Sequence, residues 1–340
     1  MNARRAGISV EYNGVNLQDV ISNELVNTVT YNDNASDTID DISIELRNTS
    51  KKWLGDWSPL KGDEIKFGIF VENWSCENDN HKLNCGMFSV DEVDYSGRPL
   101  VVAIKALAIP KDIEFTETLR NRKWQNVSIK RLASDLVSKY SFELIWDTNK
   151  NVIIESIEQS NVTDSNFLKD TCKKYGFSVK TYSNKIVIYH EGEYEKKASV
   201  LRIKESDVES WNLKSTINDT GYTEVVLKYS SDDYYSESEK EFIYSLPGKK
   251  YSKGLKINET VNNYAEAEFI AKAKLREKNK QECTMSLELK GNTKIVACNC
   301  IDIEGFGIYD GKYFIDKISH SLGDGYKISI DIHKVLEGDY

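Results

Sequence analysis

The residues best equipped for chemistry are few and scattered. Six cysteines, Cys76, Cys85, Cys172, Cys283, Cys298 and Cys300, occur without a Cys-x-x-Cys pair, which is the pattern of reduced thiols in a cytosolic product and not of a disulfide framework. Cys298 and Cys300 would share one face of a strand, while Cys76, His81 and Cys85 bracket one loop. A structural zinc site wants four ligands at recognised spacings, and neither group supplies them. His190 ends an apolar alternation and reads as a tolerated surface residue. Aspartate and glutamate are plentiful enough to supply the carboxylate pair of a cell-wall hydrolase by chance. The sequence holds no His-Glu-x-x-His and no Gly-x-Ser-x-Gly, and no cysteine has a matching histidine context. Trp53, Trp57 and Trp74 could stack on sugar rings, which would suit a carbohydrate- or receptor-binding β protein. No residue is therefore designated as catalytic, cofactor-binding or metal-binding.

Composition narrows the class further. A chain of 340 residues, 40% hydrophobic, with 4 prolines, 19 tyrosines and 6 tryptophans, is ordered, rich in strands and long enough for two or three domains. Its formal net charge of −9 argues against general affinity for nucleic acid, which needs clustered cations facing phosphates. Arg4 and Arg5 resemble the start of a signal peptide, but an alternating strand follows where an apolar core would be required. The longest apolar run, residues 101–109, is interrupted by Lys105 and falls short of the roughly 20 residues of a membrane span. Neither export by that route nor membrane insertion is expected.

The elements that must carry any function are organised by a repeat. Residues 86–96 read Gly-Met-Phe-Ser-Val-Asp-Glu-Val-Asp-Tyr-Ser, and residues 311–321 repeat most of the pattern. Gly86 meets Gly311, Phe88 meets Tyr313, Val90 meets Ile315, Asp91 meets Asp316, Val93 meets Ile318 and Ser96 meets Ser321. In both copies a strand alternation starts and slips by one residue just after the aspartate, which predicts a shared β-bulge. A turn and a second alternating strand follow each copy, with Val102, Ile104 and Ala106 in one and Ile328, Ile330 and Ile332 in the other. Ile65, Phe67 and Ile69 precede the first copy much as Ile301 and Ile303 precede the second.

Between the copies the period changes. Ile129, Leu132, Ala133, Leu136 and Val137 sit at helical spacing behind a capping Ser128, and a second helix from about Ser165 stops at Gly176. Residues 177–181 and 186–190 form a hairpin about Ser183 and Asn184. This order marks a small α+β module. Strands are expected at 201–203, 211–217, 225–229 and 283–289, with a solvated acidic loop over 230–240. A lysine-rich helix begins after Asn262 or Asn263, its cations complementing the helix dipole. Trp53 and Trp57, with Gly55, Pro59 and Gly62, predict a compact structural corner.

Taken together, Trp53-Leu54-Gly55-Asp56-Trp57 with Lys61-Gly62-Asp63, the Gly86-Met87-Phe88-Ser89-Val90-Asp91-Glu92-Val93-Asp94 segment, the module over 124–189 and the alanine- and lysine-rich helix resemble the late control D family. Those proteins are baseplate central hubs of contractile phage tails, phage-like bacteriocins and related injection machines. The resemblance spans nearly the whole chain and rests on structural motifs. It implies a mostly β, α+β chain with two tail-tube-like β-barrel domains, at 1–115 and 201–340, the latter carrying the helix near 263–280, flanking an α+β middle module at 116–200. It further implies a homotrimer that adapts a six-fold tail tube to a three-fold spike, with tape-measure and other baseplate proteins as partners. Membrane, specific nucleic-acid binding, cofactor and enzymatic activity are not implied. Such a chain would be made in the bacterial cytoplasm and assembled into the baseplate of a virion or tail-like particle, where its acidic balance suits a lumen that must not hold DNA or tape-measure protein too tightly.

Overall fold

The computed structural model describes residues 3–17, 26–108, 112–230, 239–248, 250–259, 261, 263–338 and 340. The first strands are β1 (Arg5–Tyr12), β2 (Val15–Asn16), β3 (Val26–Asn34), β4 (Asp41–Arg47), β5 (Glu64–Glu72), β6 (His81–Ser96) and β7 (Val101–Leu107). The middle of the chain supplies α1 (Ile113–Thr116), β8 (Leu119–Ser128), α2 (Ile129–Val137), β9 (Glu143–Asp147), β10 (Ile153–Thr163), α3 (Asp164–Lys174), β11 (Ser178–Tyr182), β12 (Lys185–Tyr189) and α4 (Glu191–Tyr194). Then come β13 (Leu201–Lys204), β14 (Val208–Ser215), β15 (Glu224–Ser230), β16 (Glu239–Ser245), β17 (Gly254–Asn258) and α5 (Tyr264–Asn279). The chain closes with β18 (Cys283–Lys290), β19 (Cys300–Glu304), β20 (Gly311–Gly323) and β21 (Gly325–Lys334). The mostly β, α+β class is the one expected.

The repeat is real and extends well beyond two hairpins. In β6 the register against β7 shifts between Val90 and Glu92, leaving Asp91 as the extra residue. In β20 the register against β21 shifts between Ile315 and Lys317, leaving Asp316. The slip read from the alternation is therefore a bulge in both copies, at the aspartate. Gly86 and Gly311 both adopt positive φ, 102° and 139°, which a residue without Cβ reaches at little cost. Flanking ladders agree pair by pair. Ile65 faces Phe88 as Ile301 faces Tyr313, and Phe67 faces Gly86 as Ile303 faces Gly311. Ile44 faces Ile104 as Leu287 faces Ile330, and Tyr31 faces Ile42 as Leu213 faces Met285. Strand order β3-β4-β7-β6-β5 is thus repeated as β14-β18-β21-β20-β19 in one register.

Two closed barrels are not what these strands make. Among the described residues the pairings form one open sheet running β14-β18-β21-β20-β3-β4-β7-β6-β5-β1-β2, with β19 on β20 and β13 on β19. Closing the first half would need the outer edge of β3, and that edge is already taken by β20. Each half instead rolls over its own apolar face. Tyr31 on β3 meets Phe67 on β5 at 6.3 Å and Phe88 on β6 at 6.0 Å between ring centroids. One apolar cluster, with Val29, Ile44, Ile69, Ile104, Leu287, Ile303, Ile318 and Ile330 all buried, runs through both halves.

A second cluster gathers the remaining elements. Ser128 caps α2, its hydroxyl accepting from the Arg131 N–H at 3.2 Å, and Thr163 does the same for α3 with Asn166 at 3.3 Å. Gly176 follows α3 at φ 81°, and β12 pairs antiparallel with β11 and parallel with β9. Leu132, Leu136, Leu168, Cys172 and Ile188 pack with Val225 and Leu227 of β15 and with Ala267, Ile270 and Leu275 of α5. The helix at Tyr264–Asn279, capped by Asn263, thus packs with the middle elements. Asn262, Leu25, Pro110 and most of the acidic 230–240 run lie outside the described residues.

Lys180 of β11 pins the two clusters together. Its ammonium donates to Asp33 Oδ1 at 2.6 Å, Asp40 Oδ2 at 2.9 Å and the Asn34 carbonyl at 2.5 Å, and both carboxylates are buried. Burial pushes the Asp40 carboxyl up to about 6, with Lys180 opposing that rise. Lys180→Met leaves two buried carboxylates without their cation, a change expected to cost about 3–5 kcal/mol. Because a carboxylate with a raised folded pKa is stabilising only at low pH, urea denaturation should show a larger deficit at pH 8 than at pH 5; an equal deficit at both would count against this role.

Candidate assembly interface and buried ion cluster

The most distinctive surface feature is how the two halves join and what each leaves open. Residues 317–322 of β20 pair antiparallel with β3, Ile318 opposite Asp33, Ser319 opposite Asn32, His320 opposite Tyr31 and Leu322 opposite Val29. The Ala35 N–H donates to the Asp316 carbonyl at 2.8 Å, so the bulge residue extends the junction by one bond. His320 stacks on Tyr31 with centroids 5.6 Å apart and shares a 2.7 Å hydrogen bond with Tyr326. Burial depresses its pKa to about 4, so the ring is neutral at this contact. Beside this ladder the Ala297 N–H, in the turn before β19, donates to Asp33 Oδ2 at 2.9 Å.

The two edges that the repeat matches to this junction have no ladder partner among the described residues: residues 92–96 of β6, on the side away from β7, and β14 on the side away from β18. Apolar groups stand open along them. Trp211 is 49% exposed and Tyr95 38%. Trp211 meets Phe306 edge-on at 5.2 Å, and the Tyr95 hydroxyl lies 2.9 Å from that of Ser58 in the tryptophan corner. Unpaired edges of this kind are templates for another strand.

The tryptophans divide by role. Trp53 is buried and packs T-shaped against Trp57 at 5.6 Å, as the structural-corner reading requires. Trp74 ties the halves together: its indole N–H donates to the Gly291 carbonyl at 2.7 Å, its ring packs on Tyr326, and the Arg4 guanidinium lies 3.4 Å over it. A shared sugar-stacking face is not built from these three residues.

Cysteine and histidine placement also departs from the sequence reading in places. Cys298 does not lie on the strand of Cys300 but in the turn before β19, at φ 66°. Burial pushes its thiol up to about 12 and that of Cys300 to about 11, so neither is a ready metal ligand or nucleophile. Cys76 is exposed and Cys85 buried, while His81 pairs with Asp79 at 2.5 Å. His190 is not at the surface. It is buried, and desolvation with Lys150 and Arg276 nearby depresses it to about 3.

Sequence reasoning missed one cluster altogether, because its members come from four distant segments. Glu191 and Glu195 at α4, Arg276 and Lys280 at the end of α5, Asp316 at the β20 bulge and His333 on β21 converge beneath a cleft of about 700 Å3 between α3, α5 and the sheet. Arg276 Nη2 lies 2.6 Å from Glu195 and 3.1 Å from Glu191. His333 lies 2.8 Å from Glu195 through Nε2 and 2.7 Å from Asp316 through Nδ1. Glu191, Glu195 and His333 could each offer a metal one atom, but Arg276 and Lys280 already supply the positive charge those carboxylates need. Burial raises the Glu191 pKa, yet Lys280, Arg276 and His333 outweigh it and bring it down to about 2. Burial likewise lowers His333, yet Asp316 and the two glutamates carry it up to about 9. The arrangement is a filled ion network suited to locking α4 and α5 onto the sheet.

Over 184 residues the chain is 27% identical to the probable baseplate hub protein of Escherichia phage 186, covering 52% of this chain and 44% of that one. Over 219 residues it is 27% identical to the probable baseplate hub protein of Escherichia phage P2, covering 62% and 52%. The chain thus spans about half the length of the curated relatives it matches. The tail protein from Neisseria meningitidis MC58 superposes with a TM-score of 0.70 at 11% identity, over 97% of this chain and 96% of that one. It has a tail-protein fold. In sequence it is similar to baseplate hub proteins of phages, as the repeat and the tryptophan corner suggested. No protein-family model matches the chain.

Two measurements test the site. His333 gains its proton's partners on folding, so its contribution is complete below its ordinary 6.5 and is lost as pH rises through about 9. The loss should reach about 3 kcal/mol in wild type and largely vanish in His333→Gln, followed by urea denaturation across that range. Ile318 and Val93 occupy the same repeat position, but Ile318 is fully buried at the junction and Val93 half-buried at an open edge. In the isolated chain Ile318→Ala should cost about 2–5 kcal/mol, and Val93→Ala under about 1 kcal/mol; equal costs would contradict the difference in packing.

Proposed function

We propose that this chain is a structural hub of a contractile-tail baseplate, and that three copies adapt a six-fold tube to a three-fold spike. The observation that carries the reading is the repetition of a five-strand order in one register within a single polypeptide. Closed symmetric assemblies constrain both of their faces. Three copies of a chain holding two equivalent half-sheets offer six similar units to one neighbour and a three-fold axis to the other. The similarity to probable baseplate hub proteins of phages 186 and P2 supports the same reading. On it, the partners are the tail tube, the spike, tape-measure protein and other baseplate proteins, and assembly follows synthesis in the bacterial cytoplasm. The role is non-enzymatic.

The three-part division at 1–115, 116–200 and 201–340 belongs to this proposal. On that reading the strands of the first and last parts form the ring, while α5 and β15 to β17 pack outward with the middle module. The polar face of the repeated sheet would line the central passage. It carries Glu45, Asp94 and Asp331 but also Lys105, Lys317 and Lys327, so the passage would be mixed in charge, a surface to which a passing polyanion adheres weakly.

Native mass spectrometry of the chain co-produced with its tube and spike proteins tests the reading. A complex with three copies of this chain is expected. A complex holding one, two or six copies, or absence of the chain from tube–spike assemblies, would overturn it.

A further inference from the structure

Both strands of the internal junction have repeat counterparts whose outer edges lack a ladder partner among the described residues. The matched ladders make Asp94 the counterpart of Ser319 and Tyr95 that of His320, since Val93 faces Ile104 as Ile318 faces Ile330. They make Leu213 the counterpart of Tyr31 and Lys214 that of Asn32, since Leu213 faces Met285 as Tyr31 faces Ile42. Inside the chain, Ser319 pairs with Asn32 and His320 with Tyr31. We propose that residues 92–96 of β6 in one copy pair antiparallel with residues 212–216, at the end of β14, in the next copy, in this same register, so that Asp94 stands opposite Lys214 and Tyr95 opposite Leu213. The partner is a second copy of this chain, and the inference rests on the adaptor reading.

Three observations support that occupant. First, burial is complementary. Val29 and His320, inside the junction, are 0% exposed, whereas their counterparts Trp211, one residue past the end of the proposed ladder, and Tyr95, within it, are 49% and 38% exposed. Closing the open edges would give those side chains the environment their counterparts have, and apolar burial of that size is a principal drive for association. Second, charge is complementary at the position where the internal junction places Ser319 opposite Asn32. Opposite charges facing across a strand pair stabilise it and like charges oppose it. Glu92 and Asp94 on the β6 edge would repel a second β6 edge, while Lys214 on the β14 edge attracts it. Third, the contact is heterologous, joining two different edges, and such contacts generate rings when the rotation closes. One copy's internal junction already performs one such step.

The test uses the full chain in its assembled state. Carbodiimide coupling followed by mass spectrometry should find an amide between the Asp94 carboxyl of one copy and the Lys214 amine of another. Asp94→Lys and Lys214→Asp should each weaken self-association by about tenfold or more, and the double reversal should restore it, as expected for a directly facing charge pair. Thermal melting of the isolated variants should be unchanged, because both residues are exposed. A three-copy assembly lacking that cross-link, or indifferent to both single reversals, would overturn the edge assignment and leave the adaptor reading standing. Absence of any multi-copy assembly with tube and spike would overturn both.

Discussion

The ladder between β20 and β3 governs the rest of the structure. A strand has two hydrogen-bonding edges, and β20 gives one to its own hairpin partner β21 and the other to a strand from the opposite end of the chain. That choice prevents the first half from closing on itself, merges two rolled half-sheets into one, and gives them a common apolar interior. Among the described residues it also leaves the repeat counterpart of each of the two joined edges without a ladder partner. An open sheet edge is ordinarily a hazard that proteins blunt or cover. Here the two open edges are the repeat counterparts of two that are already joined, so the same geometry that builds the monomer offers a way to extend it.

Buried charge, and not apolar contact alone, holds the helical elements to this sheet. Lys180 reaches from β11 to Asp33 and Asp40 beside the junction, and Arg276, Lys280 and His333 meet Glu191, Glu195 and Asp316 beneath the cleft. Broken singly, such pairs are costly because a partner is left charged and desolvated. Their arrangement fixes orientation as much as it adds stability. The Asp316 bulge serves twice, its carbonyl lengthening the junction and its carboxylate receiving His333. Its counterpart Asp91 is exposed, so the two copies share the backbone feature while only one uses the side chain.

What was legible in the sequence was local. The slip in alternation after Asp91 and Asp316 gave the bulges, Ser128 and Gly176 gave helix boundaries, and the aromatic residues from Trp53 to Trp57 gave a corner. Period and capping act within a few residues, so they leave a readable trace. Sheet closure depends on which distant edges pair, and no periodicity in β3 announces that β20 will occupy it. For the same reason the helix at Tyr264–Asn279 could be found but not its packing, and the ion network around His333 left no motif, since its members are separated by up to most of the last half of the chain. His190 was misread because an apolar strand end can lie beneath a neighbouring helix as easily as at the surface.

Hydrogen–deuterium exchange on the free chain and on the assembled hub addresses the duplicated-edge account most directly. Backbone amides of residues 317–322 should exchange slowly in both states, while those amides of residues 92–96 and 212–215 that point away from β7 and β18 should exchange quickly in the free chain and slowly once assembled. Open edges that stay fast to exchange in the assembled hub would contradict the claim that the internal junction is the pattern for the external one.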